Sequence, residues 1–180
     1  IGRARDAAGR ALMASTQGDP TISLTVALAT LTTVEWSVGE PAAAIEHAII
    51  ASKLIVSGTM DRYPKLEMVL PHAGGAFPYL AGRVDHFINH FNGPEFKPMY
   101  KLNMPFKDYL RRFHYDYLIY YPEAFRFLAG LVGTDRIVVG TDLFAAKDVQ
   151  YPNQVLDQFH LPAADRERIL KGNALRLLHL

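Results

Sequence analysis

Arg136-Ile137-Val138-Val139-Gly140-Thr141-Asp142 is the stretch on which the reading of the fold turns. Ile137 to Val139 is a short run of β-branched residues between a charge and a glycine, the pattern of a strand buried on both faces. Upstream, Pro122 to Val132 reads as a helix with proline in its first turn, and Phe113 to Ile119 as a second strand. Further back, Ala76 to Asn92 reads as a helix, and Leu66 to Leu70 as a short strand with a proline on either side. Downstream, Asp148 to Phe159 and Pro162 to Leu178 read as two closing helices. Strand and helix thus alternate three times after Tyr63, which predicts parallel βα units.

Away from this block the pattern loosens. Ala42 to Val56 predicts a helix opened by Pro41, with Ile45, Ile49 and Leu54 as its apolar positions and Ser57-Gly58 as its end. Gly93 to Pro105, with three prolines, predicts a long surface connection of the kind that often lies near function. Residues 1–38 are poorly placed, because the Thr-, Val- and Leu-rich run after Gly18-Asp19-Pro20 fits a strand or a buried helix equally. The charge balance, Lys+Arg 19 against Asp+Glu 18, gives no footprint for nucleic acid or an anionic membrane. The absence of cysteine excludes disulfide scaffolds, thiolate zinc sites and cysteine nucleophiles, and suits a cytoplasmic setting. No run approaches the roughly 18 apolar residues of a membrane span, so a soluble protein is expected.

In parallel α/β folds ligands gather at the carboxyl ends of strands. After Val69-Leu70 comes Pro71-His72-Ala73-Gly74-Gly75, and after Val138-Val139 comes Gly140-Thr141-Asp142. An imidazole and a carboxylate therefore arrive where such a fold builds its site. The plainer alternatives are a histidine satisfying buried backbone and an aspartate serving as a helix N-cap. Alternation puts His114 and Asp116 on one side of their strand, where a site contribution and simple strand-end packing are both open. His86 and His90 share a helix face at a spacing that can bind zinc, but a solvated or interface face accounts for them. His47 reads as a surface or packed helix residue, and Tyr117, Tyr120, Tyr121, Phe125 and Phe127 read as core.

Pro71-His72-Ala73-Gly74-Gly75-Ala76-Phe77-Pro78-Tyr79-Leu80-Ala81-Gly82-Arg83 resembles the sixth-strand motif of the amidohydrolase-2 family, which includes the aminocarboxymuconate-semialdehyde and resorcylate-type decarboxylases. Gly58 to Leu66 matches the usual lead-in, Gly133 to Asp142 looks like the strand-eight signature, and Ile169 to Leu178 looks like the closing helix. The resemblance covers Gly39 to Leu180, the family's carboxyl-terminal portion. It implies a distorted TIM-barrel-like α/β fold, one domain over 1–180, of which the last three or so βα units are visible. It also implies one divalent metal, zinc first and manganese second, with Asp142 as a metal ligand. His72 becomes the acid–base residue. Arg83 becomes a catalytic and substrate-binding arginine that in some members crosses a dimer interface, so a homodimer is expected. Phe144, in Leu143-Phe144-Ala145-Ala146 where the family carries an aromatic–proline pair, is the remaining substrate-binding candidate.

Two departures stand against this pattern. The first-strand pair of ligands, His-x-His or Glu-x-His, is missing, and so is the strand-five histidine. A (β/α)₈ barrel takes about 250 residues, so 180 residues with one recognisable ligand read as an incomplete barrel. The expected function is a metal-dependent decarboxylase of a small unsaturated or aromatic carboxylic acid, an anionic organic substrate. The alternatives are a hydrolase or hydratase of the same family, and an incomplete barrel serving as an oligomerisation or interaction subunit.

Overall fold

A computed structural model describes residues 43–90, 101–142 and 151–180. At its centre lies a three-stranded parallel sheet in the order β1 (Val69–Leu70), β2 (His114–Asp116), β3 (Ile137–Val138). Val69 faces His114 and Leu70 faces Tyr115 in one pairing; Tyr115 faces Ile137 and Asp116 faces Val138 in the other. The three βα alternations of the sequence are therefore present, in order and parallel. The strands are shorter than expected because the chain leaves the ladder at each end into tight turns. Leu66 and Met68 still bury their side chains ahead of β1.

Helix α1 (Ala43–Val56) forms as expected, but the buried face carries His47, Ala48, Ala51 and Ile55, while Ile49 is 46% exposed. Small alanines let this helix approach α3 (Phe77–His90) closely, so its packing is set by alanine rather than by the larger apolar residues. Gly58 turns the chain at φ 74, and a short helix not anticipated from the sequence, α2 (Thr59–Arg62), follows. Arg112 holds this turn from β2's approach, donating to the carbonyls of Met60, Tyr63 and Pro64.

Between α3 and β2 a further unanticipated helix, α4 (Phe106–Tyr109), runs into a 3₁₀ turn at Leu110–Arg112. Its Phe106 meets Phe77 edge-on, and Phe77 meets Phe113 in the same way, which locks α3 to the sheet. Tyr109 closes a second tie: its hydroxyl donates to Asp61 at 2.7 Å while the Asn103 amide donates to the same phenol at 3.1 Å. Helix α5 (Pro122–Val132) matches the reading residue for residue and ends at Gly133, φ 84. Its Phe125 stacks on Phe159 at 4.1 Å, beyond α6 (Pro152–Asp157). The last helix runs from α7 (Ala163–Glu167) through a π turn at Arg168–Gly172 into α8 (Asn173–Leu177).

Of the aromatic group read as core, Tyr117 and Phe125 are buried, whereas Tyr120 and Phe127 are half exposed and Tyr121 is 75% exposed. Helix α5 turns Phe127 and Tyr121 outward because its inner face is already filled by Phe125, Leu128 and Val132. No helix among the described residues is long and apolar enough to cross a membrane. The reading of residues 1–38, most of the Gly93–Pro105 connection and Phe144 lie outside the described residues.

Candidate active site

All three strands exit upward into backbone that ordinary residues avoid. After β1, His72 and Ala73 take φ 52 and 55; after β2, Tyr120 takes φ 58; beyond β3, Asp142 takes φ 48. Left-handed non-glycine residues each cost on the order of 1 kcal/mol and persist where surrounding contacts hold them. The turn after β1 is tight for a visible reason. Gly74, at φ +77, has Tyr115 where a Cβ would sit, 2.9 Å from Cε1, so the chain must pass here as glycine.

The two residues that the sequence marked at strand ends meet here. His72 Nε2 lies 3.5 Å from Asp142 Oδ1, with the side chains 25% and 29% exposed. That exposure leaves the pair open to a ligand while half withdrawn from water. Behind it stands a histidine that the sequence left open between a surface and a packed helix position, and the packed one holds. His47 is 4% exposed, and its ring centroid is 5.8 Å from that of His72. The signal was weak because a single histidine in an alanine-rich helix carries no spacing information.

Beneath the pair sits Asp116, at the top of the central strand and 6% exposed. Its Oδ2 accepts the His72 amide at 2.9 Å; its Oδ1 accepts the Ala73 amide at 2.8 Å and the Leu118 amide at 3.0 Å. Burial pushes this carboxyl above the ordinary carboxylate range, against the pull of those N–H donors and of the His72 ring. Nearby, burial and then the Asp142 and Asp116 carboxylates raise the Tyr120 phenol, placing it within electrostatic reach of the same site. The Tyr117 phenol, buried and without a hydrogen-bond partner among the described residues, is pushed up to about 12 by burial first.

Other candidates stand apart. Arg83 is exposed on α3 and makes no hydrogen bond or ion pair with a described residue. His86 and His90 stack at 4.2 Å on the exposed end of the same helix, with His90 Nδ1 3.0 Å from the His86 carbonyl. His114, which shares a strand with Asp116, lies at the opposite end of β2, where burial holds it down at about 4. Glu67 Oε2 approaches its Nδ1 to 3.4 Å, but that carboxylate is 42% exposed, so solvent screens its pull and burial prevails.

Carboxylate and imidazole are donors suited to a manganese or zinc ion. Among the described residues, however, no group of three or more His, Cys, Asp or Glu converges as a metal site. Asp142 with His72 and His47 nearby fits part of a coordination environment and not a closed one.

A family model described as amidohydrolase matches residues 22–180. The chain belongs to the amidohydrolase family. Within it, the chain is 31% identical over 146 residues to the 2-amino-3-carboxymuconate-6-semialdehyde decarboxylase of Dictyostelium discoideum, covering 81% of this chain and 39% of that protein. It is 30% identical over 151 residues to a gamma-resorcylate decarboxylase of Rhizobium sp. (strain MTP-10005), covering 81% and 44%. Among solved structures it is similar to a dihydroxybenzoic acid decarboxylase of Polaromonas sp. JS666 with bound manganese and the inhibitor 2-nitroresorcinol. That likeness has a TM-score of 0.64 at 28% identity and covers 78% of this chain and 42% of the other. The chain thus spans about two fifths of the length of the relatives it matches. The amidohydrolase match also begins at residue 22, earlier than the Gly39 from which the motifs were legible.

Proposed function

We propose that this amidohydrolase chain carries the part of a TIM-barrel active site that removes CO₂ from a small aromatic carboxylic acid with the help of a divalent metal. The observation that carries the reading is the approach of His72 Nε2 to Asp142 Oδ1, 3.5 Å, at the carboxyl ends of two strands of one parallel sheet. The decarboxylases that the chain resembles, one of them holding manganese, supply the reaction class and favour manganese over the zinc first expected. Asp142 would be a carboxylate ligand, and the bound metal would polarise the substrate's oxygen atoms. Ligands beyond Asp142 would come from residues outside those described.

The chain's own residues then have distinct tasks. The C–C bond to the carboxyl group breaks, its electron pair stays on the ring carbon, and a proton takes the place of CO₂. His72, half-buried and facing Asp142, is placed to deliver that proton from Nε2. Tyr120 lies within electrostatic reach of the pair, and buried Asp116 and the buried rings beneath keep bulk water from the floor. Arg83 is proposed to meet the substrate carboxylate across a homodimer, since its guanidinium is exposed and unengaged among the described residues. Phe144, two residues past Asp142, is proposed to stack on the substrate ring.

The test is CO₂ release from 2,6-dihydroxybenzoate and related aromatic acids by the natural full-length protein loaded with manganese. Asp142→Ala should abolish release, and His72→Ala should lower kcat by about a thousandfold, in line with loss of a general acid. Mixing the Arg83→Ala and Asp142→Ala proteins should restore part of the activity if Arg83 acts across a dimer. Full activity of Asp142→Ala would sink the assignment.

A further inference from the structure

We infer that Asp116 is a positioning residue: one buried carboxylate that fixes, through backbone, both loops whose tips carry His72 and Asp142. The contact with the first loop is direct. Asp116 takes the amides of His72 and Ala73, one on each oxygen, at 2.9 and 2.8 Å. These are the residues at φ 52 and 55, so the unfavourable backbone and the carboxylate explain each other. Two successive N–H groups can turn to one side in such a turn only if an anion or acceptor receives them. The Leu118 amide, at 3.0 Å to Oδ1, ties the acceptor to its own strand exit and keeps it from swinging.

The contact with the second loop is steric. A Cβ on Gly140 would stand 2.8 Å from Asp116 Cβ and 3.0 Å from Oδ2, closer than real Cβ atoms come. The chain leaving β3 therefore packs against the Asp116 side chain as glycine, with no room for a side chain of its own, two residues before Asp142. The 3.5 Å separation of His72 Nε2 and Asp142 Oδ1 is set by two loops that share one support at the top of the central strand. Tyr115, the preceding residue, packs its ring against Gly74 and donates its hydroxyl to the Leu110 carbonyl at 2.9 Å, so Tyr115→Phe, which keeps the ring and removes only that hydroxyl, is the control. The bearing of Asp116 on catalysis rests on the decarboxylase reading; its grip on the loops does not.

The experiment compares Asp116→Asn with Tyr115→Phe in the natural full-length protein loaded with manganese. Asparagine keeps the shape but sets an NH₂ group against one of the amides. Hydrogen exchange by mass spectrometry should show residues 71–76 of Asp116→Asn exchanging about tenfold faster, with Pro122–Val132 unchanged, as expected of local opening. In the same protein kcat should fall at least about tenfold with KM within about threefold, the signature of a lost geometry in the transition state. Tyr115→Phe should show neither effect. If Asp116→Asn does not fold, Gly140→Ala, whose methyl displaces the carboxylate without removing it, should reproduce both. Unchanged exchange and kcat in folded Asp116→Asn, equal losses in Tyr115→Phe, or failure of both loop variants to fold would each overturn the inference. Should the wild type release CO₂ from no acid, the decarboxylase reading fails, and the exchange result alone still decides the role of Asp116.

Discussion

The two ends of the sheet are built on opposite principles. At the carboxyl ends, non-glycine residues sit at positive φ after every strand, and a buried carboxylate receives amide groups. At the amino ends, long side chains reach in to satisfy carbonyls: Arg112 at the α2 turn, Asn173 on the Thr134 and Ile137 carbonyls, Arg176 on the Asp135 carbonyl. The first arrangement holds unfavourable backbone in one place with an anion, and the second caps ordinary backbone with donors. Among the described residues, four of the six non-glycine residues at positive φ gather at the end where His72 and Asp142 meet, the other two being His160 and His179 just beyond helices. That concentration is expected when one end holds a site and the other holds the fold.

Asn173 offers the hardest blow to the holding end. It is fully buried at the start of α8, and its Nδ2 donates to the Ile137 carbonyl at 2.7 Å and to the Thr134 carbonyl at 2.8 Å. Asn173→Ala strips a donor from two carbonyls and leaves a small cavity, a loss of about 3 kcal/mol. Denaturant titration should show the midpoint shift with an unchanged slope, while the variant that remains folded keeps the kcat of the wild type. A selective loss of kcat would mean that the two ends are not independent.

His114 makes a second, pH-dependent contrast from the lower half of β2. Burial first, then the charges of Arg136 and Arg176, with Asp135 opposing, hold it at about 4. The unfolded chain, titrating near the ordinary 6.5, binds a proton in that window and the folded protein does not. Stability therefore falls as pH drops from about 6.5 towards 4, by at most about 3 kcal/mol, and His114 has no effect above that range. His114→Gln removes the titration, so its stability should fall less steeply than that of the wild type between pH 7 and 4.5. Parallel profiles for the two proteins would remove His114 from the account.

This contrast also marks what could be read before any coordinates. The β-branched run at Ile137–Val139, the apolar spacing of Pro122 to Val132 and the turn glycines are local signals, and they located the sheet and α5. His72 and Asp142 were legible for the same reason, since each directly follows a strand. Asp116 and His47 were left open, Asp116 between a site contribution and strand-end packing and His47 between a surface and a packed position. Their partners lie far along the chain: 44 residues separate Asp116 from His72, and nothing in either segment advertises the pairing. The helix α4 and the Arg112 staple belong to this non-local class too. For Arg83, motif position said more than geometry does, since the described residues leave it exposed on α3 and away from any partner.

Ala73→Gly perturbs the site end least. Ala73 sits at φ 55, ψ 25 with its amide on Asp116, and its methyl is buried. Glycine adopts this conformation freely, which returns about 1 kcal/mol of strain, but it enlarges the unfolded ensemble by a similar amount. It also forfeits the burial of one methyl, so the net change in stability should lie within about 1 kcal/mol of zero. Kinetics are the more informative readout. If the Asp116 carboxylate alone fixes the turn, Ala73→Gly retains kcat, because both amides are still received at the same oxygens. If the restricted φ of Ala73 contributes, the turn loosens and kcat falls severalfold with KM unchanged. A thermal melt together with one progress curve separates these, and either result says whether the strained backbone at the strand ends is held by the anion beneath it or holds itself.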